Sequence, residues 1–120
     1  MVSEPVKDRL KEAGMYLDQA EKMGDNPAVI SSCVACDGLL ENIKVFIQGK
    51  HEEAWVKIAE KEKELATMFN EMFKKETNKI QNLEEYHKYI AQQKIEGKLL
   101  KWKCRQRLSF YDWVSQKYDI

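Results

Sequence analysis

A chain of 120 residues, 43% of them hydrophobic, is one domain spanning 1–120 with enough core to fold without disulfides or metals. A third of the residues are charged, 20 cations against 20 acids, so the molecule as a whole has no electrostatic lean toward nucleic acid. The first twenty residues are too charged for a secretory signal, and no apolar run approaches the roughly 18 residues of a membrane span. Three cysteines, an odd number, make no disulfide framework. A cytoplasmic protein with reduced thiols and no membrane contact is expected.

Four helical segments are predicted, and no stretch shows the period-two alternation of a strand. The first runs from about Ser3 to Met23, with Ser3 as cap, Pro5 in the first turn, and Val6, Leu10, Ala13, Leu17 and Ala20 on one face. "GDNP" (Gly24 to Pro27) ends it and restarts the chain. Asn26 is suited to cap a second helix, about Pro27 to Gln48, whose seam is Val29, Cys33, Cys36, Leu40, Ile43 and Ile47. Ile30, Val34, Leu39 and Phe46 widen that seam, so this helix should be the most buried. Gly49 closes it where a left-handed residue is wanted.

A third helix starts near His51 with Glu52 and Glu53 in its first turn, where the helix dipole favours acids. Trp55, Ile58, Leu65, Phe69 and Met72 give it a core face, and "KEKE" (Lys61 to Glu64) reads as a solvated face of ion pairs. "KKETNKIQNLEE" contains no Gly or Pro. Thr77-Asn78 and a loose capping pattern, Asn82 to Glu85, favour a break there over one rod reaching the C terminus.

Residues 81–120 carry eight cations and five acids. Placed on a helix at about 100° per residue, residues 83–118 show two apolar stripes. One holds Leu83, Tyr86, Ile90, Leu100, Cys104, Leu108 and Tyr111. The other holds Ile95, Leu99, Trp102, Phe110 and Trp113. Lys103 and Arg107 fill one gap between the stripes, and Lys94, Lys98, Lys101 and Arg105 fill the other. One stripe suffices for a helix in a monomeric bundle; two imply contact on both sides. The second stripe is therefore a candidate partner interface, its two tryptophans being a residue type enriched at interface hot spots. The alternatives are that both stripes are internal core, or that Lys98, Lys101, Lys103, Arg105 and Arg107 grip single-stranded nucleic acid while the aromatics stack on bases.

Signals for chemistry are sparse. Cys33 and Cys36 share a helix face, but a structural zinc site needs four ligands, and small apolar core side chains are the simpler reading. Glu84 and His87 form one Glu-x-x-His unit where a di-iron bundle needs two. The five glycines are scattered and build no phosphate loop. No catalytic residue, cofactor or metal ligand is assigned, and an enzyme is not expected.

"YLDQAEKMGDNPAVISSCVACDGLLENIKVFIQGK", Tyr16 to Lys50, resembles in layout the helical HEPN domains. The histidine that their nuclease motif places after an arginine is missing beyond Arg105 and Arg107. "LEEYHKYIAQQKIEGKLLKWKCRQRLSFYDWVSQKY", Leu83 to Tyr118, resembles the C-terminal helix of small all-helical tailed-phage proteins of the recombination-mediator type. That resemblance implies an oligomer and single-stranded DNA binding through the five cations just named. The expectation is an all-α four-helix bundle with a long C-terminal helix. It would act as an oligomeric assembly or adaptor protein that binds its own copy or a protein partner, with single-stranded nucleic-acid binding as the alternative.

Overall fold

A computed structural model describes residues 2–120. Four α-helices follow in order, α1 (Glu4–Met23), α2 (Val29–Ile47), α3 (Glu52–Asn78) and α4 (Glu85–Lys117), with no strand among the described residues. The chain breaks between α3 and α4 over residues 79–84, and α4 then continues without interruption through Gly97 for 33 residues.

The helix ends show which local signals operate. Gly24 and Gly49 adopt positive φ (60° and 80°) after α1 and α2, a region where a Cβ is penalised. The Asn26 side chain accepts the Ala28 N–H at 2.9 Å, and one tight turn follows before α2 proper. Ser3 precedes α1 as expected, but its hydroxyl makes no capping bond. Nδ1 of His51 accepts the Ala54 N–H at 3.2 Å, so a histidine caps α3. The cap of α4 is Glu84 rather than Asn82: its Oε1 accepts the His87 N–H at 2.8 Å and lies 3.2 Å from His87 Nδ1. The Glu84-x-x-His87 unit is thus the helix start itself, and both side chains are exposed.

Successive helices run antiparallel. The α1–α2 hairpin lies along the C-terminal two thirds of α4, fixed at one end by Ser3 N–H donating to Ile120 C=O (2.7 Å) and at the other by Lys101 Nζ donating to Gly24 C=O (2.9 Å). α3 covers the opposite side of the α2–α4 pair, and α1 and α3 do not touch. All six predicted seam residues of α2 are buried, and Val6, Ala13, Leu17, Ala20, Ala54, Ile58, Cys104, Tyr111 and Val114 complete the core. Val34 departs from the expected seam and is 61% exposed.

The helices differ in length, and that sets the shape. At about 1.5 Å per residue α4 is about 50 Å long and α1 about 30 Å, matching a body of 52 × 25 × 17 Å. The radius of gyration, 16.0 Å, exceeds the roughly 14 Å of a compact domain of this size. The excess is an arm formed by the second half of α3 and the first third of α4.

Candidate functional site

The arm is explained by where α1 and α2 stop. Gly97 packs against Val29 in the first turn of α2: a Cβ placed on Gly97 would lie 2.8 Å from Val29 Cγ1. With Lys101 bonded to Gly24, this sets the α1–α2 turn at the level of Gly97 to Lys101 on α4. Nothing from α1 or α2 extends beyond. From Ala66 to Glu96 no residue is buried, whereas Leu65 and Gly97, just outside that stretch, both are.

The apolar stripe does not stop with its cover. Ile90, Gly97, Cys104 and Tyr111 stand seven apart, on one line along α4. Cys104 and Tyr111 are at most 1% exposed, but Ile90 on the same line is 37% exposed, with Tyr86 at 66% beside it and Leu83 at 44% before the helix. On α3, Met68 is exposed and Phe69, Met72 and Phe73 are half-buried. Over the arm α3 and α4 have only each other, and the face that α1 and α2 cover further along is open.

The second stripe is placed differently from the sequence expectation. It faces α3, where Lys61 Nζ lies 5.6 Å from the Phe110 ring. Leu99 is buried, Phe110 packs on the core, and Ile95 and Trp102 are half-buried. Trp113 alone is half exposed, with Lys117 Nζ 4.9 Å from its ring. Leu99 is thus enclosed within the chain and Phe110 partly so, on the side of α4 that faces α3.

The basic residues are also largely engaged within the chain. Arg105 donates to Glu21 Oε1 through Nε (3.0 Å) and a terminal nitrogen (2.8 Å). Lys101 is bonded to Gly24, and Lys103 sits 4.0 Å from Asp37 and 5.2 Å from the Phe69 ring. Lys98 is exposed. Arg107, among the cations expected to grip nucleic acid, is a buried group, 7% exposed and surrounded by carboxylates.

That surrounding is a polar cluster joining α2, α3 and α4. Two Arg107 nitrogens donate to Glu62 Oε1 at 3.1 and 2.8 Å, a third contacts Asp37 Oδ1 at 2.7 Å, and Glu41 lies 3.7 Å away. The Tyr111 hydroxyl donates to the same Glu62 oxygen. Burial works against the charge on Arg107, but the Tyr111 oxygen and the Glu62 carboxylate outweigh it and hold the guanidinium pKa above its ordinary value. Burial, and then the bond to Glu62, keep the Tyr111 phenol protonated beyond its usual range. Every charge here has a partner, so the cluster is a clamp between helices. Glu62 belongs to the "KEKE" segment read as solvated. Its position four after Ile58 and three before Leu65 was the available sign that it faces inward.

Beside the clamp lie the three cysteines, all reduced and buried. Cys104 Sγ is 3.5 Å from Cys33 C=O and 3.5 Å from Asp37 Oδ1. The bond with Cys104, reinforced by burial, raises the Cys33 thiol pKa. The bond with Cys33 works to lower the Cys104 pKa, but Cys36 and burial together prevail and raise it. Among the described residues no group of three or more His, Cys, Asp or Glu side chains is placed to hold a metal ion, and no helix is long and apolar enough to cross a membrane. Comparison with known family models, characterised proteins and solved structures returns no match to this chain.

Proposed function

We propose that this chain is a non-catalytic helical assembly or adaptor protein whose working surface is the α3–α4 arm. The observation carrying this reading is the line Ile90, Gly97, Cys104, Tyr111, which is core over the C-terminal two thirds of α4 and uncovered over the first third. A half-bundle gains apolar burial only when another polypeptide supplies what is missing, at about 25 cal/mol per Å2 removed from water. Tyrosines at 66% and 60% exposure, Tyr86 and Tyr89, add large rigid side chains of the kind that dominate contact energetics. The basic positions read as nucleic-acid contacts support that alternative less, since Lys101, Lys103, Arg105 and Arg107 are held by groups of the chain itself.

Photocrosslinking in cells tests the reading. A benzophenone side chain at Tyr89 should yield protein adducts that vanish when Ile90→Asp is added. The same probe at Glu12, exposed on the body, should yield none. Equal labelling from both positions, or none from Tyr89, would remove the arm as a protein-contact surface.

A further inference from the structure

We infer that the occupant of the arm is a second copy of this chain, the two arms packing face to face, antiparallel, into a closed four-helix bundle. The inference rests on the reading of the arm as a protein-contact surface and names the partner.

Three features of the arm favour its own copy. What the arm lacks is a pair of antiparallel helices of its own length, and another arm is such a pair. Two arms turned end for end about a two-fold axis supply four helices with no unmatched end, the closed symmetry usual among soluble oligomers.

The second feature is register. Ile90 stands seven residues from Leu83 at the arm's tip and seven from Gly97 at its root. When the tip of one arm reaches the root of the other, the two Ile90 side chains meet at the axis. Tyr86, one turn nearer the tip, then lies toward the partner's root, beside the half-buried Gln93 and Ile95.

The third feature is charge. Residues 66–96 carry five acids and five cations. Each helix of the arm is balanced as well: Glu71 and Glu76 accompany Lys74 and Lys75 on α3, and Glu85 and Glu96 accompany Lys88 and Lys94 on α4. A strongly acidic or basic partner gains nothing from such a surface, while a second copy meets no net repulsion.

Size sets the expected strength. Two helix widths of about 10 Å and an overhang of about 18 Å outline roughly 360 Å2 of projected face per copy. Accessible area exceeds projection, yet this is the small end of specific interfaces. A dimer assembling at micromolar concentration is expected, rather than an obligate one.

Sedimentation equilibrium on the purified full chain, from about 1 to 500 μM, tests this. The expected species is a reversible dimer of twice 14.1 kDa. Ile90→Asp, and separately Tyr86→Lys at an exposed position that cannot unfold the body, should each raise the dissociation constant about 30-fold or more with unchanged helical circular dichroism. Trp113→Asp should leave it unchanged. In a disulfide-trapping arm, Ile90→Cys should oxidise to a covalent dimer. Tyr86→Cys should not, since its two copies stand about 12 Å apart along the axis and a disulfide needs Cα atoms within about 7 Å. A strict monomer across the range overturns the second copy while leaving the arm open to photocrosslinking from Tyr89 onto a protein of another mass. A dimer lost with Trp113→Asp but kept with Ile90→Asp places the self-contact on the body and overturns a second copy as the occupant of the arm.

Discussion

Replacing Arg107 by methionine tests whether the inter-helix clamp is a closed buried network. Methionine keeps the length and apolar stem while removing every donor. Three nitrogen–carboxylate hydrogen bonds disappear, two to Glu62 and one to Asp37, with the longer contact to Glu41. Hydrogen bonds to charged groups contribute about 1.5–3 kcal/mol each, and removing one partner of a buried pair costs about 3–5 kcal/mol. The orphaned carboxylates keep some water, at 22% side-chain exposure for Glu62 and 23% for Asp37. The low end, about 3 kcal/mol, is therefore expected. With an unfolding entropy of about 2.1 cal/mol/K per residue, near 0.25 kcal/mol/K for this chain, the melting temperature should fall by about 12 °C. Arg105→Met removes a pair of similar geometry whose side chains are 50% and 41% exposed. Such surface pairs contribute about 0–1 kcal/mol, so a fall of no more than about 4 °C is expected there. Thermal unfolding followed by circular dichroism reads both. Adding Glu62→Gln to Arg107→Met should recover part of the loss, because one stranded charge is gone. Equal effects from the two arginine variants, or a fall under about 4 °C for Arg107→Met, would refute the clamp.

Gly97→Ala sets a helix-propensity gain of about 1 kcal/mol against overpacking of about 1–3 kcal/mol. The new Cβ would stand 2.8 Å from Val29 Cγ1, and Val29 is buried and β-branched, so it has little freedom to turn away. A net loss near 1 kcal/mol, about 4 °C in a thermal melt, should result, and a gain in stability would contradict the close approach of α4 to α2. Stability should also fall in alkali. The fold raises the pKa of Cys33, Cys104 and Tyr111, whereas unfolded thiols and phenols lose protons near about 8.5 and 10. Above about pH 8.5 the unfolded chain therefore binds fewer protons than the native one, and stability declines by up to about 1.4 kcal/mol per pH unit for each such group. Cys36, lowered by its bond with Cys104, offsets part of this. Melting temperatures recorded from pH 6 to 10.5 should be level at first and drop from about pH 9, and a level profile throughout would refute it. Finally, a labelled single-stranded oligonucleotide titrated at low salt should show little binding. Affinity that falls steeply with salt and weakens in Lys98→Ala and Lys103→Ala would instead restore the nucleic-acid reading.

What local sequence determined here is what depends on neighbours along the chain. The 3–4 spacing of Val29, Cys33, Cys36, Leu40, Ile43 and Ile47 is enough to specify a buried helix, because any helix with that pattern must turn that face inward. The break before α4 was legible from Thr77-Asn78, and the left-handed closure of α2 from Gly49. Both apolar stripes of α4 could likewise be listed by residue. Which partner each stripe faces could not, since that depends on how far the other helices extend beside it. The Leu99–Phe110 stripe is internal because α3 lies over it, and the Tyr86–Ile90 end is uncovered because α1 and α2 stop level with Gly97. The inward turn of Glu62 and the burial of Arg107 have the same origin. A charge between two apolar positions is solvated or clamped according to what a distant segment places opposite it, and only tertiary packing brings Asp37, Glu62 and Arg107 to one point.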